Sequence, residues 1–185
     1  MTYNNRKKKF TERRDPDVPL TDAERKELTS RARNLCFYYM TRSDKTRKEL
    51  KTRLFQKFIP ADIIEEVLNE MEDDGYVDDA KLAVNFVRNK SEYANMGKRA
   101  IENKLYQKGI DKDLIQEATS SIDMEGEFGK AKDLALSRLY STSKMDKQKR
   151  YTKIVSLVIR RGFTGDVAYR AVREAIDEEE TELED

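Results

Sequence analysis

A short pattern of apolar, basic, corner and acidic residues occurs three times along this chain, and it restricts the folds open to it. Leu50-x-x-x-Leu54, Lys57-Phe58-Ile59 and Asp62-Ile63-Ile64 return 51 positions later as Ile101-x-x-x-Leu105, Lys108-Gly109-Ile110 and Asp113-Leu114-Ile115. A further 53 positions on stand Ile154-x-x-x-Val158, Arg161-Gly162-Phe163 and Asp166-Val167-Ala168. Apolar residues four apart share one helix face. Gly109 and Gly162 suit the left-handed residue that closes a helix. Phe58 stands at that position in the first copy, so its corner is expected to be made differently, with Pro60 in the first turn of the next helix. One such copy buries too little apolar surface alone, whereas stacked copies share a continuous core.

Local signals fill in the repeat. Thr21 with Glu24 and Thr46 with Glu49 have the spacing of capping boxes. Leu28, Ala32, Leu35, Cys36 and Tyr39 form the apolar stripe of the helix that follows Thr21. Ile63, Ile64, Val67, Leu68 and Met71 predict another amphipathic helix, closed at Gly75. Tyr76 is expected to fall back onto Met71, and Asp78 to cap the next helix, with Asp79 adding charge at its positive end. Val77 and Leu82 have the spacing of a hydrophobic staple. The predicted fold is all-α: an elongated, curved array of three three-helix repeats, about nine helices. Its divisions are a basic tail over 1–20, repeats over 21–75, 76–123 and 124–178, and an acidic tail over 179–185.

Composition excludes several chemistries. Histidine is absent, which removes imidazole bases, histidine-dependent triads and the commonest metal ligand. The single cysteine, Cys36, excludes an internal disulfide and reads as a buried thiol. Gly126-x-x-Gly129 lacks the Lys-Ser/Thr of a phosphate-binding loop. Asp73, Asp74, Asp78 and Asp79 are the densest acidic cluster, and capping explains them better than a metal ion does. No catalytic residue, cofactor or metal site is therefore expected. No apolar run reaches membrane-spanning length and the first residues lack a signal-type apolar region, so a cytoplasmic location is expected.

The net charge of +1 conceals segregation. Arg6, Lys7, Lys8, Lys9, Arg13 and Arg14 crowd the start, and the last twelve residues carry eight carboxylates and no base. Arg42, Lys45, Arg47, Lys48, Lys51, Arg53 and Lys57 surround the second helix of repeat one. Lys98, Arg99, Lys104 and Lys108 occupy that helix in repeat two. Lys147, Lys149, Arg150, Lys153, Arg160 and Arg161 do so in repeat three. Aligned by stacking, these helices make a basic ribbon suited to a polyanion or an acidic protein surface. Glu49 and Glu102 interrupt it, so ordinary solvated faces are the alternative.

Three stretches resemble a known family. Glu49-Leu50-x-x-x-Leu54, the corner Gly75-Tyr76-Val77-Asp78-Asp79 with Ala83 and Phe86-Val87, and Leu105-x-x-Lys108-Gly109-Ile110 are similar to the RecX family of bacterial recombination regulators. The resemblance covers about 21–178; Phe58 and the looser third repeat depart from it. It implies tandem three-helix repeats, no catalysis, and a monomer that binds the RecA recombinase filament and restrains its ATPase and strand exchange in DNA repair and the SOS response. Contact with the filament is then expected through Lys98, Arg99, Lys104, Lys108, Lys149, Arg150, Lys153, Arg160 and Arg161, with weak binding of single-stranded DNA beside it. The rivals are a helical DNA-binding module that acts without a recombinase, and a scaffold or enzyme subunit.

Overall fold

The computed structural model describes residues 19–92 and 94–182; the two basic and acidic chain ends beyond them lie outside the described residues. Among the described residues there are nine helices and no strand. They are α1 (Asp22–Met40), α2 (Arg47–Phe55), α3 (Ala61–Asp73), α4 (Asp79–Glu92), α5 (Lys98–Lys108), α6 (Lys112–Thr119), α7 (Met124–Thr142), α8 (Lys147–Arg160) and α9 (Gly165–Glu182). Packing divides them into two compact units. The first reaches to Leu82 and includes Lys108–Ile110; the second holds Ala83–Gln107 and the chain from Asp111 onward.

In the first unit both capping boxes form. Thr21 accepts from Glu24 N while the Glu24 carboxylate accepts from Thr21 N, and Thr46 and Glu49 repeat the exchange. Leu28, Ala32 and Cys36 of α1, Leu50 and Leu54 of α2, and Ile63, Ile64, Val67, Leu68 and Met71 of α3 bury together. Burial pushes the Cys36 thiol up to about 11, so it stays protonated. Gly75 takes φ +74°, and Tyr76 N and Val77 N both donate to Met71 O, at 2.9 and 3.1 Å. Val77 is the residue buried at this corner, whereas Tyr76 is 57% exposed and its ring stands edge-on to Phe37 at 5.0 Å. The expected fold-back of Tyr76 is thus replaced by burial of its smaller neighbour. Pro60 sits at the N-cap of α3, one position ahead of the first turn.

The three corners share one conformation. Phe58 (φ 58°), Gly109 (φ 83°) and Gly162 (φ 95°) are all left-handed, so the first copy makes the same turn despite its side chain. The difference lies in what faces each corner. A Cβ on Gly162 would stand 2.3 Å from Ala100 Cβ and 2.5 Å from Ala100 N, and one on Gly109 would meet the stem of Lys48. The Phe58 ring instead points to solvent, 46% exposed. Glycine is demanded where a neighbouring helix presses on the corner; at Phe58 only the backbone strain of a bulky left-handed residue is incurred, about 1–2 kcal/mol.

A second recurring device links successive copies. The backbone N–H of Arg47, first residue of α2, donates to Asp79 Oδ1 of α4 at 3.0 Å. Fifty-one positions on, Lys98 N, first residue of α5, donates to Glu127 Oε1 of α7 at 2.7 Å. Each second helix is therefore capped by a carboxylate from the first helix of the following copy. α8 has no following copy in the described residues, and its own Asp146 accepts from Gln148 N and Lys149 N instead.

In the second unit, Ala131, Leu134, Ala135 and Leu139 of α7 meet Ile154, Val155 and Val158 of α8 and Val167, Ala168, Ala171, Val172 and Ala175 of α9. The run of alanines lets α9 lie close along α7, its chief neighbour. α9 continues through Glu182, so the acidic tail expected from residue 179 is helical as far as it is described. Its carboxylates are used: Lys132 pairs with Glu178 at 2.7 Å, Arg150 with Glu179 at 2.7 Å and Lys147 with Glu180 at 2.6 Å.

Candidate partner-binding surface

Helix α8 turns Ile154, Val155 and Val158 inward, which leaves Lys149, Lys153 and Arg160 exposed on the other side. Lys153 and Arg160 line a cleft of about 220 Å³ together with Arg138 of α7. Ile154 and Leu157 give this cleft an apolar floor, so three cations surround a place where an apolar side chain can be buried. Such an arrangement fits a protein surface that presents an apolar anchor among carboxylates. Arg138 sits on the first helix of its repeat, outside the basic ribbon of second helices, so the repeat pattern in the sequence carries no signal for it.

Arg150 is held for the fold. Its guanidinium forms two 2.7 Å bonds to the two Glu179 oxygens, donates to Leu139 O at 2.9 Å and reaches Thr142 Oγ1 at 3.3 Å. With its side chain 11% exposed, it clamps α7, α8 and α9 rather than offering charge to a partner. Arg161 is half-buried and donates to Ala94 O at 3.1 Å. Lys108 belongs to the first unit, where it bonds Glu49 Oε1 at 3.0 Å. Lys98 is half-buried beside its capped N–H, and Arg99 and Lys104 are the exposed cations of α5.

The basic residues of α2 divide in the same way. Arg47 bonds Glu65 at 2.7 Å and also Glu72, and Lys51 bonds Glu65 at 2.5 Å. From α1, Arg25 pairs with Asp62 and Glu66, both at 2.5 Å, and Arg33 pairs with Glu70. The acidic outer face of α3 thus neutralises these cations. The guanidinium of Arg25 holds the Asp62 carboxyl below its ordinary value, and Lys51 with Arg47 does the same for Glu65. Asp78 Oδ1 accepts from Lys81 N at 2.8 Å at the start of α4. Asp79 is half-buried, and that burial raises its carboxyl against the bond from Arg47 N. Both aspartates of the corner are engaged with helix starts. No helix among the described residues is long and apolar enough to cross a membrane.

Helical repeats joined by cap and corner, with charge sorted between internal pairs and open cations, define a tandem three-helix-repeat protein. Two family models match the chain: the first three-helix domain of RecX over residues 32–71 and the second over residues 78–118. The regulatory protein RecX of Streptomyces coelicolor is 32% identical over 153 residues, covering 83% of this chain and 81% of that protein. That of Thermobifida fusca is 32% identical over 158 residues, covering 85% of each. The crystal structure of RecX from Lactobacillus salivarius superposes with a TM-score of 0.72 at 24% identity, over 80% of this chain and 97% of that one. The chain belongs to the RecX family of regulatory proteins.

Proposed function

We propose that this protein regulates homologous recombination by binding the RecA filament and restraining its ATP hydrolysis and strand exchange. The observation that carries this reading is the cleft between α7 and α8, where Arg138, Lys153 and Arg160 surround an apolar floor. A recombinase surface with an apolar side chain between carboxylates would bury the anchor there and satisfy the cations at the rim. Lys149, Arg99 and Lys104 supply further exposed charge. In this reading the protein acts as a cytoplasmic monomer and performs no chemical step. The test is the rate of DNA-dependent ATP hydrolysis by the RecA protein of the same cell, with and without the purified chain. Slowing at substoichiometric or equimolar chain supports the reading, and an unchanged rate across a wide excess defeats it.

A further inference from the structure

We propose that a cleft of about 590 Å³ in the first unit binds single-stranded nucleic acid, with a base stacked on its tyrosines and the flanking phosphates on its cations. The cleft lies where α1 ends beside the outer face of α2. Tyr38 and Tyr39 come from the first, Arg53 from the second, Arg42 and Lys45 from the connection between them, and Lys57 from the turn that follows α2. Among the described residues, its lining contains four cations and no carboxylate, in a chain whose acids and bases nearly balance. The cations that face α3 are consumed by carboxylates, whereas among the described residues no ion pair reaches these four.

The aromatic rings decide the class of polyanion. Tyr38 is 52% exposed, its ring edge-on to Tyr39 at 5.6 Å between centroids. The Arg42 guanidinium lies 5.1 Å from the Tyr38 ring centre and donates to its hydroxyl at 2.9 Å, and Arg53 lies 5.0 Å from the Tyr39 ring centre. Paired rings and guanidinium planes give flat π surfaces against which an unstacked base can lie, and stacking of this kind tolerates any sequence. An acidic peptide needs the cations but has no use for the rings. A duplex keeps its bases stacked and would leave the tyrosines idle. The site belongs to the first unit and shares no residue with the α7–α8 cleft, and the inference does not depend on the recombinase reading.

The test uses the whole chain without any recombinase. Binding of a labelled thymidine oligonucleotide of about 16 nucleotides is followed by anisotropy at several salt concentrations. Changing Arg42→Ala together with Lys57→Ala should weaken binding at least tenfold and lower the log–log salt slope by about 1.4, two phosphates' worth. Tyr38→Leu should weaken binding about fivefold or more without changing the slope, and Tyr38→Phe should bind as the parent does. The charge-matched pair Lys26→Ala with Lys81→Ala, exposed and outside the cleft, should leave binding unchanged, with circular dichroism confirming every fold. Wild-type binding by Tyr38→Leu, equal displacement of the oligonucleotide by polyglutamate, or an equal loss in the Lys26 and Lys81 pair would each overturn the proposal. The first two would show a surface that reads negative charge alone.

Discussion

The Arg47 backbone N–H donates to Asp79 Oδ1 across 3.0 Å, so the start of α2 is closed by a residue from the start of α4. Thr46 and Glu49 already form a box at this end, so the aspartate satisfies an additional N–H that the two bonds of the box leave open. Asp79→Ala should cost about 1–2 kcal/mol, the usual range for loss of a cap, read as a lower urea midpoint at unchanged slope. Asp79→Asn keeps an acceptor and should recover most of it.

The acid limb of stability should depend on Glu49. Burial alone would raise this carboxyl, yet the Thr46 N–H and the Lys108 ammonium bring it below its ordinary value. The unfolded chain then binds more protons in the window beneath about pH 4.5, so stability present above it is lost as pH falls through the folded value. Glu49→Gln should flatten that limb in urea titrations from pH 6 to pH 3. Asp79, raised by burial, acts with the opposite sign and gains as pH falls.

The corners should respond unequally to one methyl group. Gly162→Ala forces Cβ to within 2.5 Å of Ala100 N at φ 95°, and should lose about 3 kcal/mol or more of stability. Phe58→Gly relieves left-handed strain at an exposed side chain and should raise the melting temperature by a few degrees, about 1 kcal/mol.

Truncation at the acidic end should matter. Removing residues 177–185 takes away the partners of Lys147 and Arg150 and the nearer partner of Lys132, and leaves the Arg150 guanidinium, 11% exposed, without its carboxylate. Loss of about 1–3 kcal/mol in the second unit is expected from that group, and Arg150→Ala in the full chain should show a loss of similar size.

Charge reversal at the α7–α8 cleft tests the recombinase surface. Arg138, Lys153 and Arg160 are exposed, so changing all three to Glu should shift stability by only about half a kcal/mol each. Inhibition of recombinase ATPase should fall by at least tenfold in the concentration required, most clearly at low salt. Inhibition equal to that of the parent would remove this cleft from the contact.

Much of this architecture was legible in the sequence because its signals are local. The capping boxes at Thr21 and Thr46, the stripe from Ile63 to Met71 and the corner glycines each depend on residues within a few positions of one another. The misread features are those in which a side chain acts far along the chain. Asp79 looked like a dipole partner for its own helix, Arg150 like a surface cation, and 179–182 like a free tail, because their partners lie 32 and 29 positions away. Phe58 was misread for the opposite reason. Its side chain has room to stand 46% exposed, and a requirement for glycine comes from the neighbour, as at Gly162, as much as from φ. Charge counts alone could not separate Arg47 and Lys51, spent on α3, from Arg42 and Lys57.

The borrowed caps also set an order of events during synthesis. The first turn of α2 waits 32 residues for Asp79, and the first turn of α5 waits 29 residues for Glu127. At about 5–20 residues per second, each delay lasts roughly two to six seconds. A nascent chain stalled inside either interval holds a helix whose starting amide must borrow from water. The next segment to leave the ribosome therefore completes the one before it, and translation itself becomes the clock by which the array is assembled.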